Sequence, residues 1–229
     1  THFMAQVLGL HSELIGTLGS GMYGALGSAG LTTPDAISLQ SMLSDFVKQH
    51  AALIAMEVSS HSIDQGRING IEFEMGVFTN LTQDHLDYHQ TMQAYAEVKK
   101  RFIGGNQTKQ VIINADDQYG KQWIIELDKP VLAYSCKMNA AQCDAFQVPF
   151  IRAENVKLSL HGIKADVFTP WGEAKLSLPL IGEFNLSNAL AVIGAMCKYG
   201  LSLQEVVERF STVKPVPGRM QTVVKKDKP

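Results

Sequence analysis

The densest run of polar side chains in this sequence is Thr79-Asn-Leu-Thr-Gln-Asp-His-Leu-Asp-Tyr-His89, directly after the apolar stretch Phe73–Phe78. In a parallel sheet, ligands gather outside the carboxyl ends of the strands, so polar residues placed there suit a binding site. Asp84, His85, Asp87 and His89 offer oxygen and nitrogen donors of the kind that hold a divalent cation. The same residues equally make a helix N-terminus with aspartate caps and solvated imidazoles. A second polar strand end repeats the arrangement. Glu57 closes the run Leu53-Ile-Ala-Met-Glu, and Ser59-Ser-His61 follows. A carboxylate at the end of a buried strand is costly unless it is paired, hydrogen-bonded or bound to metal. A Glu57–Arg67 pair and a metal ligand both satisfy that demand.

Lys99 is the most informative single residue. Met92, Tyr95, Ala96, Lys99, Phe102 and Ile103 recur at helical spacing, so Lys99 sits on the apolar stripe while Lys100 and Arg101 point away. Its stem can pack while its ammonium snorkels. Burial can also lower its pKa and make the amine nucleophilic, able to add carbon dioxide and become a long-armed carbamate. Thr32 and Thr33, in Leu31-Thr-Thr-Pro-Asp35, offer paired hydroxyls for a polar ligand or for capping. Asn185 and Asn188 open a later helix three residues apart and could read a purine edge, although capping explains one of them as well.

The elements that must position these groups alternate. Ser38–Gln49, Thr91–Ile103 and Asp117–Leu127 carry helical periodicity; Ala52–Val58, Phe73–Thr79 and Val111–Asn114 are short apolar runs typical of buried parallel strands. Strands alternating with helices predict βαβ units and a mainly parallel sheet flanked by helices, an α/β fold. Between Gln147 and Leu180, short alternating segments separated by Gly162 and Pro170-Trp-Gly172 predict a small antiparallel meander. Helical patterns resume through Leu186–Cys197 and Leu203–Phe210. Thr1–Leu8 reads as helical, and Gly16, Gly19, Gly21, Gly24, Gly27 and Gly30 read as a flexible loop.

The whole chain is 229 residues, 45% hydrophobic and 18% charged, with formal net charge −2. At about 100–200 residues per domain, this predicts one large domain with a short piece of another. The charge balance gives no general pull toward nucleic acid. No apolar run approaches the roughly 20 residues of a membrane span, so no membrane insertion is expected. Cys136, Cys143 and Cys197 lack metal-type or redox-type spacing, which points to a reducing, cytoplasmic setting. Disordered, fibrous, disulfide-scaffold and membrane classes are excluded.

Taken together, the motifs resemble those of the Mur ligase family, closest to its MurE type. The matching strings are Leu31–Asp35, Met56–His61 with Gln65 and Arg67, Phe78–His89, Tyr95–Lys99, Gly182–Asn188 and Pro217–Met220. The resemblance implies a P-loop NTPase-like central domain and an ATP-dependent amide-bond ligase of peptidoglycan precursor synthesis. Such an enzyme adds a diamino acid, meso-diaminopimelate or L-lysine, to UDP-N-acetylmuramoyl-L-alanyl-D-glutamate through an acyl phosphate. It implies Mg2+ on Glu57, His85 and a carbamylated Lys99, and dipeptide binding by Thr32, Thr33, Ser59, Gln65 and Arg67. It further implies adenine beside Asn185 and Asn188, with Arg219 toward the ribose or phosphates.

The family's phosphate loop does not occur in the sequence. By resemblance, residues 1–214 form the central ATP-binding domain, cut just past that loop, and residues 215–229 a linker and the start of a ligase domain. A chain so cut is expected neither to hydrolyse ATP nor to ligate on its own. Three other readings remain on the residues: a folylpolyglutamate synthase-like ligase, a metal-dependent hydrolase using Asp84, His85, Asp87 and His89, and a non-catalytic binding domain.

Overall fold

Two strand systems organise the chain. The computed structural model describes residues 1–8, 11–28 and 30–216. The first part runs α1 (His2–Leu8), β1 (Ser12–Gly16), β2 (Gly19–Met22), α2 (Ala36–Lys48), β3 (Leu53–Met56), α3 (Ser60–Asp64), β4 (Phe73–Phe78), α4 (Leu86–His89) and α5 (Met92–Gly104). It continues with β5 (Thr108–Asn114), α6 (Gln118–Glu126), β6 (Val131–Ser135), α7 (Ala140–Asp144), β7 (Phe150–Ser159), β8 (Gly162–Thr169), β9 (Gly172–Leu178), α8 (Glu183–Tyr199) and α9 (Leu203–Phe210). Strands β4 to β9 form a six-stranded sheet in sequence order; β2, β1 and β3 form a three-stranded one. The β4–β7 neighbours pair in parallel, and β7, β8 and β9 continue the same sheet antiparallel. The expected meander is therefore an extension of the parallel sheet.

Local chemistry explains the helix starts. The Asp35 carboxylate accepts from the backbone N–H groups of Ile37 and Ser38 at 3.1 and 3.0 Å, which starts α2. Thr91 does the same for α5 through the Ala94 N–H, and Ser202 closes a capping box with Glu205 at α9. In the central strands, alternate side chains leave the sheet on opposite faces. Ile112, Leu132 and Tyr134 join a core under α1, α8 and α9, while Val111, Ile113, Val131 and Ala133 join another with residues of α2, α5 and α6. Helix α8 lies deepest, with eleven buried residues, so its apolar pattern wraps round it.

The glycine-rich stretch departs from expectation. Its first part is not a loose loop: β1, which ends at Gly16, is buried throughout and pairs in parallel with β3, while β2, with Gly19 and Gly21, folds back on β1; Gly24, Gly27 and Gly30 lie outside the strands. The Gly27 N–H then donates to Ser20 O at 2.9 Å, folding the following segment onto the hairpin. Its Ser12-Glu-Leu-Ile-Gly16 sequence buries a serine and a glutamate beside two aliphatics, and β2 is half glycine, so neither shows a readable alternation. Strand β6 also carried no expectation, although all five of its residues are buried.

The two sheets do not hydrogen-bond to each other among the described residues. Strands β3 and β4 both line one cavity of about 1320 Å³ between them. Helices α1 and α8 contribute to the same wall. Among the described residues, no helix is long and apolar enough to cross a membrane.

Candidate functional site

Glu57 leaves the carboxyl end of β3, its backbone N–H donating to Ile15 O on β1 at 2.8 Å. Its Oε2 accepts from the Thr17 N–H at 3.2 Å and from the Thr17 hydroxyl at 2.8 Å; Oε1 receives the Thr1 hydroxyl at 3.4 Å. Arg67 is not its partner. The guanidinium turns instead to Thr33, with Nη1 donating to the carbonyl at 2.9 Å, and its Nε and Nη2 both donate to Gln65 Oε1. Hydrogen bonds from Thr17 and Thr1, and not an Arg67 ion pair, satisfy the carboxylate here.

The paired threonines divide their work. Thr33 is fully buried; its hydroxyl donates to Glu57 O at 2.7 Å and accepts from the Ser59 N–H at 3.1 Å. Both bonds join the 31–35 loop to the end of β3. Thr32 keeps its side chain half-exposed and meets the Thr17 hydroxyl at 3.1 Å. Ser59 caps α3 through the Ser62 N–H at 3.1 Å.

The second polar strand end meets the first. The rings of His61 and His85 stand edge to face, 5.0 Å between centroids, and His61 lies 4.2 Å from the Tyr88 ring. His85 takes a left-handed backbone, φ 55°, which lets the chain turn into the short helix α4 while its N–H donates to the Asp84 carboxylate at 2.8 Å. The loop is held from below. Asn114 Nδ2 donates to Thr79 O at 2.7 Å, and Asp117 Oδ2 accepts from the Leu81 N–H at 2.9 Å while its Oδ1 caps α6.

The remaining members of the polar run separate. His89 is buried, stacks on Tyr95 at 5.1 Å and hydrogen-bonds Ser60 Oγ at 2.8 Å. Burial, then the neighbouring His61, holds its pKa below the usual histidine value. Asp87 is exposed. Among the described residues, no three His, Cys, Asp or Glu side chains come together as a metal shell. The HxDxH-like spacing therefore does not assemble into the four-ligand cluster that the hydrolase reading required.

Lys99 reaches across from α5, and its Nζ donates to Val58 O at 2.8 Å, one residue beyond Glu57. Burial pushes its pKa down to about 8. Asn185 and Asn188 line the cavity with Glu57, Thr17 and Lys99. The Asn185 amide is turned inward, its Nδ2 donating to Ile181 O at 2.7 Å, which ties down the turn before α8 without capping the helix, while Asn188 is half-exposed. Arg219 lies outside the described residues.

The donor set suits a hard cation in part. The Glu57 carboxylate is an oxygen donor of the kind Mg2+ prefers, and that ion commonly takes one or two carboxylates and completes its shell with water and substrate phosphates. A protonated Lys99 would repel it; an uncharged amine converted to a carbamate would attract it. Sequence reasoning missed Thr17, Asn114 and Asp117. Thr17 follows β1, and recognising that strand would have placed the residue at another carboxyl end.

Residues 1–196 match the family described as the Mur ligase middle domain. The chain belongs to this family. Among its Mur ligase relatives, the UDP-N-acetylmuramoyl-L-alanyl-D-glutamate–2,6-diaminopimelate ligase of Chromobacterium violaceum is 39% identical over 226 residues, 97% of this chain and 44% of the relative. The enzyme of the same name from Neisseria meningitidis serogroup B is 40% identical over 98% of this chain and 45% of its own length. The chain thus spans a little under half of these relatives. A solved structure of a ligase of that name superposes with TM-score 0.85 at 33% identity, covering 98% of this chain and 45% of the other. MurF from Acinetobacter baumannii shares the fold, with TM-score 0.74 at 17% identity. The Mur ligase membership and the α/β architecture agree with what the motifs implied.

Proposed function

We propose that this Mur ligase middle domain serves an ATP-dependent ligase that adds a diamino acid to UDP-N-acetylmuramoyl-L-alanyl-D-glutamate. The observation that carries this reading is the likeness, at about two residues in five over nearly the whole chain, to relatives bearing that name. Diaminopimelate is the diamino acid named for them, which favours it over lysine.

In the proposed reaction, the D-glutamate γ-carboxylate attacks the ATP γ-phosphorus, ADP leaves, and the acyl phosphate is opened by the amine with loss of inorganic phosphate. Little covalent chemistry falls to the protein, so positioning and electrostatics supply most of the rate. Arg67, pinned to Thr33 and Gln65, offers a fixed cation to an acidic group of the dipeptide. Thr32 and Gln65 stand beside it as polar contacts; Thr33 and Ser59 act through the backbone they hold. Asn188 lines the cavity from α8 and could meet the adenine edge, with Asn185 fixing the turn before it. Glu57, His85 and a carbamylated Lys99 would hold Mg2+, which would offset charge on the triphosphate. The depressed pKa of Lys99 supports carbamate formation, because only the neutral amine adds carbon dioxide.

Calorimetric titration of the chain with UDP-N-acetylmuramoyl-L-alanyl-D-glutamate tests the substrate reading: saturable binding is expected, and none would overturn it. Carbon-13 NMR in labelled bicarbonate tests Lys99, with a carbamate signal expected in the native chain and none in Lys99→Arg.

A further inference from the structure

Three observations converge on a residue that the reading above leaves without a role. First, Thr17 approaches Glu57 twice, through its backbone N–H at 3.2 Å and its hydroxyl at 2.8 Å, and both donate to the same oxygen, Oε2. Second, the preceding residue has no side chain where one would collide: a Cβ on Gly16 would stand 2.8 Å from Glu57 Cδ and 2.9 Å from Oε1. The carboxylate lies against the end of β1, and a Cβ at residue 16 would displace it from that position. Third, the Thr17 hydroxyl also meets Thr32 Oγ1 at 3.1 Å.

Proton counting gives this chain a direction. A hydroxyl has one proton and two acceptor sites, and an ionised carboxylate only accepts. With the Thr17 proton given to Glu57, the bond between the two threonines must be donated by Thr32. The order is Thr32 to Thr17 to Glu57, and it links the 31–35 loop to the end of β3 through β1.

We propose that Thr17 is a positioning residue: it holds Oε2 of Glu57, leaves Oε1 with only the 3.4 Å contact from the Thr1 hydroxyl, and couples that carboxylate to the Thr32 side of the site. The proposal rests on the function given above, in which Glu57 faces the cation and Thr32 the dipeptide. A partner that orients a ligating group from outside the ligand shell is worth roughly 10–100-fold in affinity.

The test uses the 229-residue chain and two probes: Mn2+ alone, read by paramagnetic broadening of the amide signals around Glu57, and UDP-N-acetylmuramoyl-L-alanyl-D-glutamate, read by calorimetry. Thr17→Val is expected to weaken both by roughly tenfold or more, while Thr17→Ser, which keeps the hydroxyl, stays close to wild type. A side chain that only supported the fold would lower the urea midpoint of Thr17→Val and leave both affinities alone; that result overturns the proposal. So does unchanged Mn2+ broadening in Thr17→Val when Glu57→Gln abolishes it. A wild-type chain that takes up neither probe overturns the proposed function instead. Amide exchange at Thr17 then still decides the cradle: faster exchange in Glu57→Ala supports it, and an unchanged rate overturns it.

Discussion

The Lys99 ammonium donates to the carbonyl of Val58 at 2.8 Å, which brings an amine from α5 to the end of β3 beside Glu57. Forty-one positions separate the two residues in the chain. The bond satisfies one of three N–H donors, and burial disfavours the charge on the group. Its pKa therefore falls from 10.5 to about 8.

A pH dependence of stability follows from that shift. Between pH 8 and 10.5 the unfolded chain holds the Lys99 proton and the folded chain does not, so unfolding takes up a proton and stability rises with pH. The burial penalty is complete below pH 8 and vanishes above 10.5. Its upper bound is about 3 kcal/mol. Urea unfolding of the wild type and Lys99→Met at intervals across this window should show a slope in the wild type that the variant lacks. Parallel curves would refute it.

His89 acts at the other end of the scale. Burial against Tyr95 and Ser60, with His61 close by, lowers its pKa below 6.5. On acidification the unfolded chain gains a proton there before the folded chain does, so stability falls as pH drops below 6.5 and through the depressed folded value. The wild type is expected to lose stability more steeply between pH 6.5 and 5 than His89→Gln. Thermal unfolding at several pH values checks this, and equal slopes would count against it.

Gly120 tests the brace beneath the polar loop. A Cβ at this position would lie 2.0 Å from Asn114 O, at the junction where β5 hands over to α6. Backbone on both sides leaves little room to yield, so Gly120→Ala should cost about 2–3 kcal/mol. Asp117→Ala removes both a helix cap and the acceptor for the Leu81 N–H, for about 1–2 kcal/mol. Urea midpoints read both.

Arg67→Ala should weaken binding of the UDP-muramyl dipeptide by at least about tenfold, the scale of one charge-assisted hydrogen bond. Arg67→Lys should recover little, because an ammonium cannot hold Gln65 and Thr33 in a fork and still present a donor. Calorimetry decides; full recovery by lysine would mean that charge alone matters.

Much of the architecture was legible because its causes are local. Asp35, Thr91 and Asp117 stand where helix starts need an acceptor, and the observed α2, α5 and α6 begin immediately after them. The apolar runs that became β3, β4 and β5 were readable as short apolar stretches, although only β5 is buried along most of its length. The first hairpin escaped for the converse reason: Ser12 and Glu13 are buried polar residues, and the glycines of β2 carry no pattern. The stripe around Lys99 placed it on the apolar face from spacing alone and left open whether its amine would snorkel or be buried.

By itself, then, the sequence determined what depends on neighbours along the chain: helix starts, strand runs, family motifs and the two polar strand ends. Only the tertiary structure decided how those ends serve each other. Parallel pairing of β1 with β3 aligns Ile15 with Met56, so the next residues, Gly16 and Thr17, meet Glu57. Folding also turned Thr33 and His89 inward and left Thr32 and His85 partly open. These outcomes follow from strand register and from which hydrogen-bond partner lies nearest across the sheet, and residue types and spacing do not encode either one locally.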